Sequence, residues 1–359
     1  MRLVGSKTLK RLGPLCVVPP KGWECLSGET RRSLRTGPAF DGFKDVAGGA
    51  KFKGTEQFHA PLREPHTKSQ RALTSEQVSD YHRDGYVLVR GMFSKHEMKL
   101  VMDAAKSDRA IEARATGMAD GRGGVSKLSL MNHVGKNIYG AVARCGRVLD
   151  SVENLLEGEV YHYHSKVMIK EPFTGGAWEW HQDYGYWYEN GCLAPLMLSV
   201  MVVLDRHSTQ NGCLQVLRQS HNLGRVDHIL TGRGGWYPHK RTGAQAGANL
   251  ERVKLAQQTC ELVSVQAEPG DVFFMHCNTL HSSQPNRSPD PRWSLICCYN
   301  AARNDPFRVH HCPQYTPFDR WSDDSLEQLG AKGISDGDGT VFWDPNSDGS
   351  AKGLASKKK

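Results

Sequence analysis

The stretch Glu268-Pro-Gly-Asp-Val-Phe-Phe-Met-His-Cys-Asn-Thr-Leu-His281 decides how the chain reads. Pro269 and Gly270 suit the central positions of a type II turn, where proline presets φ and glycine supplies a positive φ. Residues 271–276 are then short, apolar and aromatic, as a buried strand requires. Working outward, strand-like runs recur at 159–170, 196–205, 213–217, 262–267 and 293–300, and Asn211-Gly212 is a turn signal between two of them. A helical texture comes first. Thr74 with Gln77 fits a capping box, Gly85 fits a helix stop, and 86–90 reads as a strand. Ser94 with Glu97 makes a second box, followed by Met98, Val101, Met102 and Ala105 at helical spacing. Another helix is expected over 144–157, with Val148, Val152 and Leu155 on one face. Short strands after a helical start predict a mostly β fold, a sandwich or barrel with flanking helices.

Composition narrows the function classes. The chain has 359 residues, 38% hydrophobic and 23% charged, enough to build a core. The longest apolar run, 193–204, holds Pro195 and Ser199 and is too short for a membrane span. The net charge of +8 sits at the ends: residues 1–70 carry 13 Lys+Arg against 6 Asp+Glu, residues 351–359 add four Lys, and 71–350 is left at −3. No nucleic-acid partner is therefore expected, since that needs clustered charge on a folded face. Ten cysteines without a C-x-x-C pair read as reduced thiols of an intracellular protein.

Domain organisation follows from the same texture. Residues 1–70 read as a basic disordered leader or extended arm, and 71–320 as the folded domain. Within it, 224–256 is a Gly/Arg-rich insertion of a length typical of functional lids. Residues 321–359 read as a tail ending in a Lys run. The acid-free start, with Arg2, Lys7, Lys10, Arg11 and Lys21, allows a cleaved organelle transit peptide as the alternative to a cytoplasmic location.

The densest chemistry is Trp178-Glu-Trp-His-Gln-Asp-Tyr-Gly-Tyr-Trp-Tyr188. In an extended backbone His181 and Asp183 point to one face. A further histidine, from His276 or His281, completes a two-histidine, one-carboxylate set with open positions on ferrous iron. Arg292 adds weight. It shares a strand face with Ser294, Ile296, Cys298 and Asn300, and a guanidinium projecting into an apolar barrel needs an anion. Its planar fork suits a carboxylate such as the distal one of 2-oxoglutarate.

These motifs together resemble the phytanoyl-CoA dioxygenase family of iron(II)- and 2-oxoglutarate-dependent oxygenases, over about residues 71–305. The resemblance rests on Leu73-Thr-x-Glu-Gln-Val78 leading to Asp84-Gly-Tyr86, on His181-Gln-Asp183, on Asn211-Gly-Cys-Leu-Gln-Val-Leu217 with Ser220-His221, and on Gly270-Asp271 followed by His281 and then Arg292. It implies a double-stranded β-helix (jelly-roll, cupin-like) core, with His181, Asp183 and His281 as iron ligands and Arg292 on the C5 carboxylate. By the same match His276 is not a ligand. Ser283, Gln182, Lys127 and Lys166 are implied as further cosubstrate contacts, and Met201 stands where one member has an aromatic residue. The implied chemistry couples oxidative decarboxylation of 2-oxoglutarate by O2 to hydroxylation of an unactivated C–H bond of a small molecule. Asp183 argues against halogenation, which needs that position free for chloride. Residues 178–187 are also similar to the ectoine hydroxylase signature, with Gln182 at its Ser position. Tyr184, Tyr186, Trp187 and Tyr188 are candidates for the substrate mouth. Two alternatives stay open: a hydrolase or isomerase using another divalent metal on the same ligands, and a non-catalytic binding protein. The oligomeric state is not legible.

Overall fold

The computed structural model describes residues 67–230, 246–330 and 338–343. The leader up to residue 66, positions 231–245 of the insertion, and the tail at 331–337 and 344–359 lie outside the described residues. In chain order the elements open with α1 (Ser75–Asp84), β1 (Tyr86–Val89), α2 (Lys95–Ser107), α3 (Arg109–Ala113), β2 (Thr116–Ala119) and β3 (Val125–His133). Next come α4 (Ile138–Arg144), α5 (Gly146–Leu155), β4 (Val160–Lys170), β5 (Trp178–His181), α6 (Asp183–Glu189), β6 (Met197–Val203), β7 (Leu214–Leu217), β8 (His228–Leu230) and β9 (Ala246–Ala248). The chain closes with α7 (Leu250–Thr259), β10 (Leu262–Val265), β11 (Val272–His276), β12 (His281–Ser283), β13 (Arg292–Ala301), α8 (Ser325–Gly330) and β14 (Val341–Phe342).

The large sheet runs β1-β11-β6-β13-β4-β3-β14, with β2 on β3; the small sheet runs β10-β7-β12-β5, and its pairings are antiparallel. Met201 and Phe273 from the large sheet pack against Val216 and Val265 from the small one, so the two sheets face each other as a jelly roll. The other face of the large sheet, with Val167, Ile169, Val200, Val202 and Leu295, buries the apolar stripes of α2 and α5. Strands alternate their side chains. On β4 this turns Val167 and Ile169 to the helices and leaves Lys166, Met168 and Lys170 for the barrel interior.

Local signals formed as expected. Both capping boxes are closed by hydrogen bonds in each direction, and Gly85 ends α1 in the left-handed region. Gly270 has φ +97°, and a Cβ there would meet the Phe93 carbonyl oxygen at 2.2 Å, so both conformation and space demand glycine. The helix expected over 144–157 is α5, with Val148, Val152 and Leu155 on its buried face. Cys145 is extended and separates α4 from α5. Strands β2, β3 and β5 and helices α6 and α7 went unread, and the insertion's described ends form the β8–β9 pair and α7. The boundary expected at 320 falls inside the fold. Asp323 bonds Ser69 and Arg147, and β14 pairs with β3, long-range contacts that no local pattern announces. The described cysteines are all free. Among the described residues no helix is long and apolar enough to cross a membrane.

Candidate active site

The end of β5, the edge strand of the small sheet, meets β12 beside it. His181 and His281 are direct cross-strand partners there, their ring centroids 3.9 Å apart. Asp183 joins them from the first turn of α6 rather than from a strand. Gln182 between them is extended (φ −114°, ψ 137°), so the period-two relation of His181 and Asp183 survives the strand end. One donor atom from each of the three lies within 4.8 Å of the others, and all three side chains are buried. Asp183 Oδ1 is 3.9 Å from His181 Nε2 and 4.0 Å from His281 Nε2.

The outer atoms of this set are all anchored. His181 Nδ1 lies 2.8 Å from the Glu179 carbonyl and His281 Nδ1 2.9 Å from the Thr279 carbonyl. A carbonyl only accepts, so each Nδ1 carries the proton and each Nε2 turns a lone pair to the common centre, as metal-bound histidines require. Burial pushes the His181 imidazole well below its usual range, reinforced by His281, and lowers His281 likewise. Both rings are therefore neutral. Burial alone would raise the Asp183 carboxyl, but the Lys166 ammonium, with the Ser199 hydroxyl, outweighs it and holds it well below the usual carboxylate range. Ser199 Oγ donates to Asp183 Oδ2 at 2.6 Å, leaving Oδ1 for the centre. Two neutral imidazoles and an ionised carboxylate on one focus fit the facial ligand set of ferrous iron.

A second charged feature lies further along the barrel. Arg292 on β13 and Lys170 on β4 are cross-strand partners, and both are buried. Arg292 donates to the Gly212 carbonyl, while its Nε has no hydrogen-bond partner among the described residues. Burial lowers its pKa to about 10. Burial, and then Arg292 itself, push Lys170 well below the usual ammonium range. Lys170 Nζ crosses the interior to donate to Ser283 Oγ at 2.8 Å. Among the described residues no carboxylate hydrogen-bonds to either cation, and Asp120 acts on Lys170 only through its field. Two adjacent buried cations with an orphaned donor make a cradle for an anion.

Comparison with known proteins fits this arrangement. The model of the phytanoyl-CoA dioxygenase (PhyH) family matches residues 81–294. The chain belongs to that family. Membership makes it an oxygenase of the iron(II)- and 2-oxoglutarate-dependent, hydroxylase-type class. Relatives include an ectoine dioxygenase from Bordetella parapertussis, 27% identical over 65% of this chain and 77% of that protein. L-proline trans-4-hydroxylase from Streptomyces griseoviridis is 27% identical over 63% of this chain and 86% of that protein. The crystal structure of EctD from S. alaskensis with bound Fe superposes with a TM-score of 0.55, at 22% identity, over 73% of this chain and 91% of that one. The same protein with 2-oxoglutarate and 5-hydroxyectoine superposes at 0.52. The jelly-roll fold expected from the motifs is the fold found.

Within this family frame, not every expected contact reaches the site. His181, Asp183, His281, Arg292 and Ser283 are all buried in the barrel. Lys166 also points inward, but its Nζ lies 3.8 Å from Asp183 Oδ1 rather than beside Arg292. Lys127 is a correction. It is in register with Ile169 on the outward face, half exposed, and pairs with Glu171 at 3.1 Å. Gln182 is a second correction. Its amide donates to the Gly224 and Asn278 carbonyls and accepts the Val226 N–H, so it ties the two loops at 224–226 and 278 together and has no group left for a cosubstrate. Met201 packs in the apolar wall between the sheets. Lys170 was missed, although its place in an alternating strand, four residues beyond Lys166, was available as a signal.

Proposed function

We propose that this protein hydroxylates an unactivated C–H bond of a small-molecule substrate, with ferrous iron held by His181 Nε2, Asp183 Oδ1 and His281 Nε2. The C5 carboxylate of 2-oxoglutarate is received by Arg292, with Lys170 and Ser283 beside it. The observation that carries this reading is the buried guanidinium of Arg292 next to Lys170, its Nε without a hydrogen-bond partner among the described residues, in the same barrel as a neutral-imidazole, carboxylate triad. A hydrolase or a binding protein on the same triad has no use for such a cradle. Relatives named for ectoine and L-proline support a small-molecule substrate.

When bound, the iron supplies oxygen activation at the expense of 2-oxoglutarate; the rest falls to the chain. The carbonyls of Glu179 and Thr279 fix both imidazoles in the ligating tautomer. Ser199 aims the carboxylate. Arg292 and Lys170 orient the cosubstrate by its far end, leaving its keto-acid end toward the triad. Trp178 and Tyr186, with ring centroids 6.1 and 5.7 Å from that of His181, flank the centre and keep water from it.

The test is anaerobic reconstitution with Fe(II) followed by 2-oxoglutarate. A visible charge-transfer band, and succinate release once O2 is admitted, are expected. Iron binding with neither band nor succinate would refute the reading.

A further inference from the structure

A second group of metal-type donors lies outside the triad. His310, His311 and Cys312, on the segment that follows β13, each place one donor atom within 4.8 Å of the others. Cys312 is buried in an aromatic and sulfur-rich cluster with Tyr161, Tyr163 and Trp187. His310 is turned toward it, with Nδ1 accepting the Cys312 amide N–H at 3.1 Å. A fourth donor comes from the barrel wall, where His164 Nδ1 on β4 lies 3.6 Å from Cys312 Sγ. Burial keeps the His164 ring neutral, well below the usual imidazole range, so it has a lone pair to give.

The spacing is informative. A zinc–thiolate bond of about 2.3 Å and a zinc–imidazole bond of about 2.0 Å, at a tetrahedral angle, put sulfur and nitrogen about 3.6 Å apart. The separation of His164 from Cys312 is already that of one edge of such a tetrahedron. The loop donors lie within 4.8 Å of one another, and closing the tetrahedron draws them onto the centre that this edge defines. The imidazoles of His310 and His311 lie beside the same thiol, and His310 is held there by the Cys312 amide N–H and by the Tyr163 hydroxyl, 3.4 Å from its Nε2.

We propose that Cys312, His164, His310 and His311 form a second metal site, separate from the iron centre, that takes Zn2+. One thiolate and three imidazoles favour zinc over the hard cations. Four chain ligands close the coordination sphere, which is the pattern of a structural site. On binding, the Cys312 S–H gives its proton to solvent as the Zn–S bond forms. The ion clamps the segment after β13 onto β4, beside Trp187, whose ring centroid is 5.8 Å from that of His164.

The test strips the full chain of metal and titrates it with Co2+, whose thiolate complexes absorb strongly in the near ultraviolet while complexes with only N and O ligands do not. Uptake beyond the triad's single equivalent is expected, with a thiolate band that belongs to the additional equivalent and is abolished by Zn2+. Cys312→Ser should remove the band, His164→Gln should need far more Co2+ to develop it, both should leave Fe2+ binding at the triad unchanged, and His181→Ala should keep the band. Loss of an outer-sphere partner alone costs about 10–100-fold in metal affinity, so loss of either ligand should weaken the site by more than about 100-fold. His164→Gln decides alone if Cys312→Ser fails to fold. A wild-type protein that binds a single equivalent without thiolate absorption, a band that persists in Cys312→Ser, or an unaltered Co2+ affinity in His164→Gln overturns the proposal.

Discussion

Arg292→Gln separates the cosubstrate cradle from the metal site. In the ligand-free protein the substitution removes a buried charge that no carboxylate pairs with among the described residues. The guanidinium's pKa is lowered to about 10 by burial, its Nε is orphaned, and it destabilises the charge on Lys170 across the strand pair. What is lost is the hydrogen bond to the Gly212 carbonyl, typically worth about 1 kcal/mol. Relief of the repulsion with Lys170 offsets it, so thermal stability should change little. With 2-oxoglutarate present the balance differs. Removing one partner of a buried charge pair costs about 3–5 kcal/mol, and about 1.4 kcal/mol is tenfold in Kd. The Kd should therefore rise roughly 10²- to 10³-fold, with Fe(II) affinity nearly unchanged. Lys170→Met should move Kd in the same direction by less, because Lys170 already has Ser283 as a neutral partner. Both constants come from titrating 2-oxoglutarate into the anaerobic iron protein while following the charge-transfer band. An Arg292→Gln protein with unaltered cosubstrate affinity, or one that loses its iron instead, would show that the arginine serves the fold and not the cosubstrate.

The remaining expectations concern the metal, the surface and acid stability. His181→Ala and Asp183→Ala should each lose iron and turnover while keeping the far-ultraviolet circular dichroism of the parent; stoichiometric iron by elemental analysis with full 2-oxoglutarate consumption in both would remove the ligand assignment. Lys127→Met should leave the 2-oxoglutarate Kd within about twofold, since a half-exposed pair with Glu171 is worth at most about 1 kcal/mol to the surface and touches nothing inside; a large rise would mean that the strand register is wrong. Glu97 sits buried against Arg147 at 2.6 Å. Burial alone would raise its carboxyl, but the Arg147 and Ser94 hydrogen bonds outweigh it and lower the pKa below the ordinary 4.5. The unfolded state therefore binds the proton more readily. This contribution to stability is complete above about pH 4.5 and lost as pH falls through the lower folded value. Glu97→Gln should destabilise the protein by about 3–5 kcal/mol at pH 7 and flatten the acid limb of urea-midpoint against pH; an unaltered acid limb would contradict the assigned pair.

Much was legible without coordinates because it is local. A type II turn needs glycine at Gly270 for its own φ, capping boxes close within four residues, and strands show their period over five or six. The relation of His181 to Asp183 is of this kind, since it depends only on Gln182 staying extended. The same alternation already set Gln182 on the opposite face from the ligands, and its hydrogen bonds to the two loops at 224–226 and 278 follow from that. His281 against His276 is different. The choice rests on β12 pairing with β5 so that His281 falls opposite His181, whereas His276 ends β11 in the other sheet. The two lysines make the point most sharply. Lys127 pairs with Ile169 and so shares its outward face; Lys170 is the very next residue on β4 and points inward. A shift of one residue in register exchanges the two faces of a strand. Register is set by pairing between segments some forty residues apart and by which face the helices bury. Composition and spacing thus disclose which chemistry the chain carries, while the tertiary pairing decides which of its charged side chains stand inside the barrel to perform it.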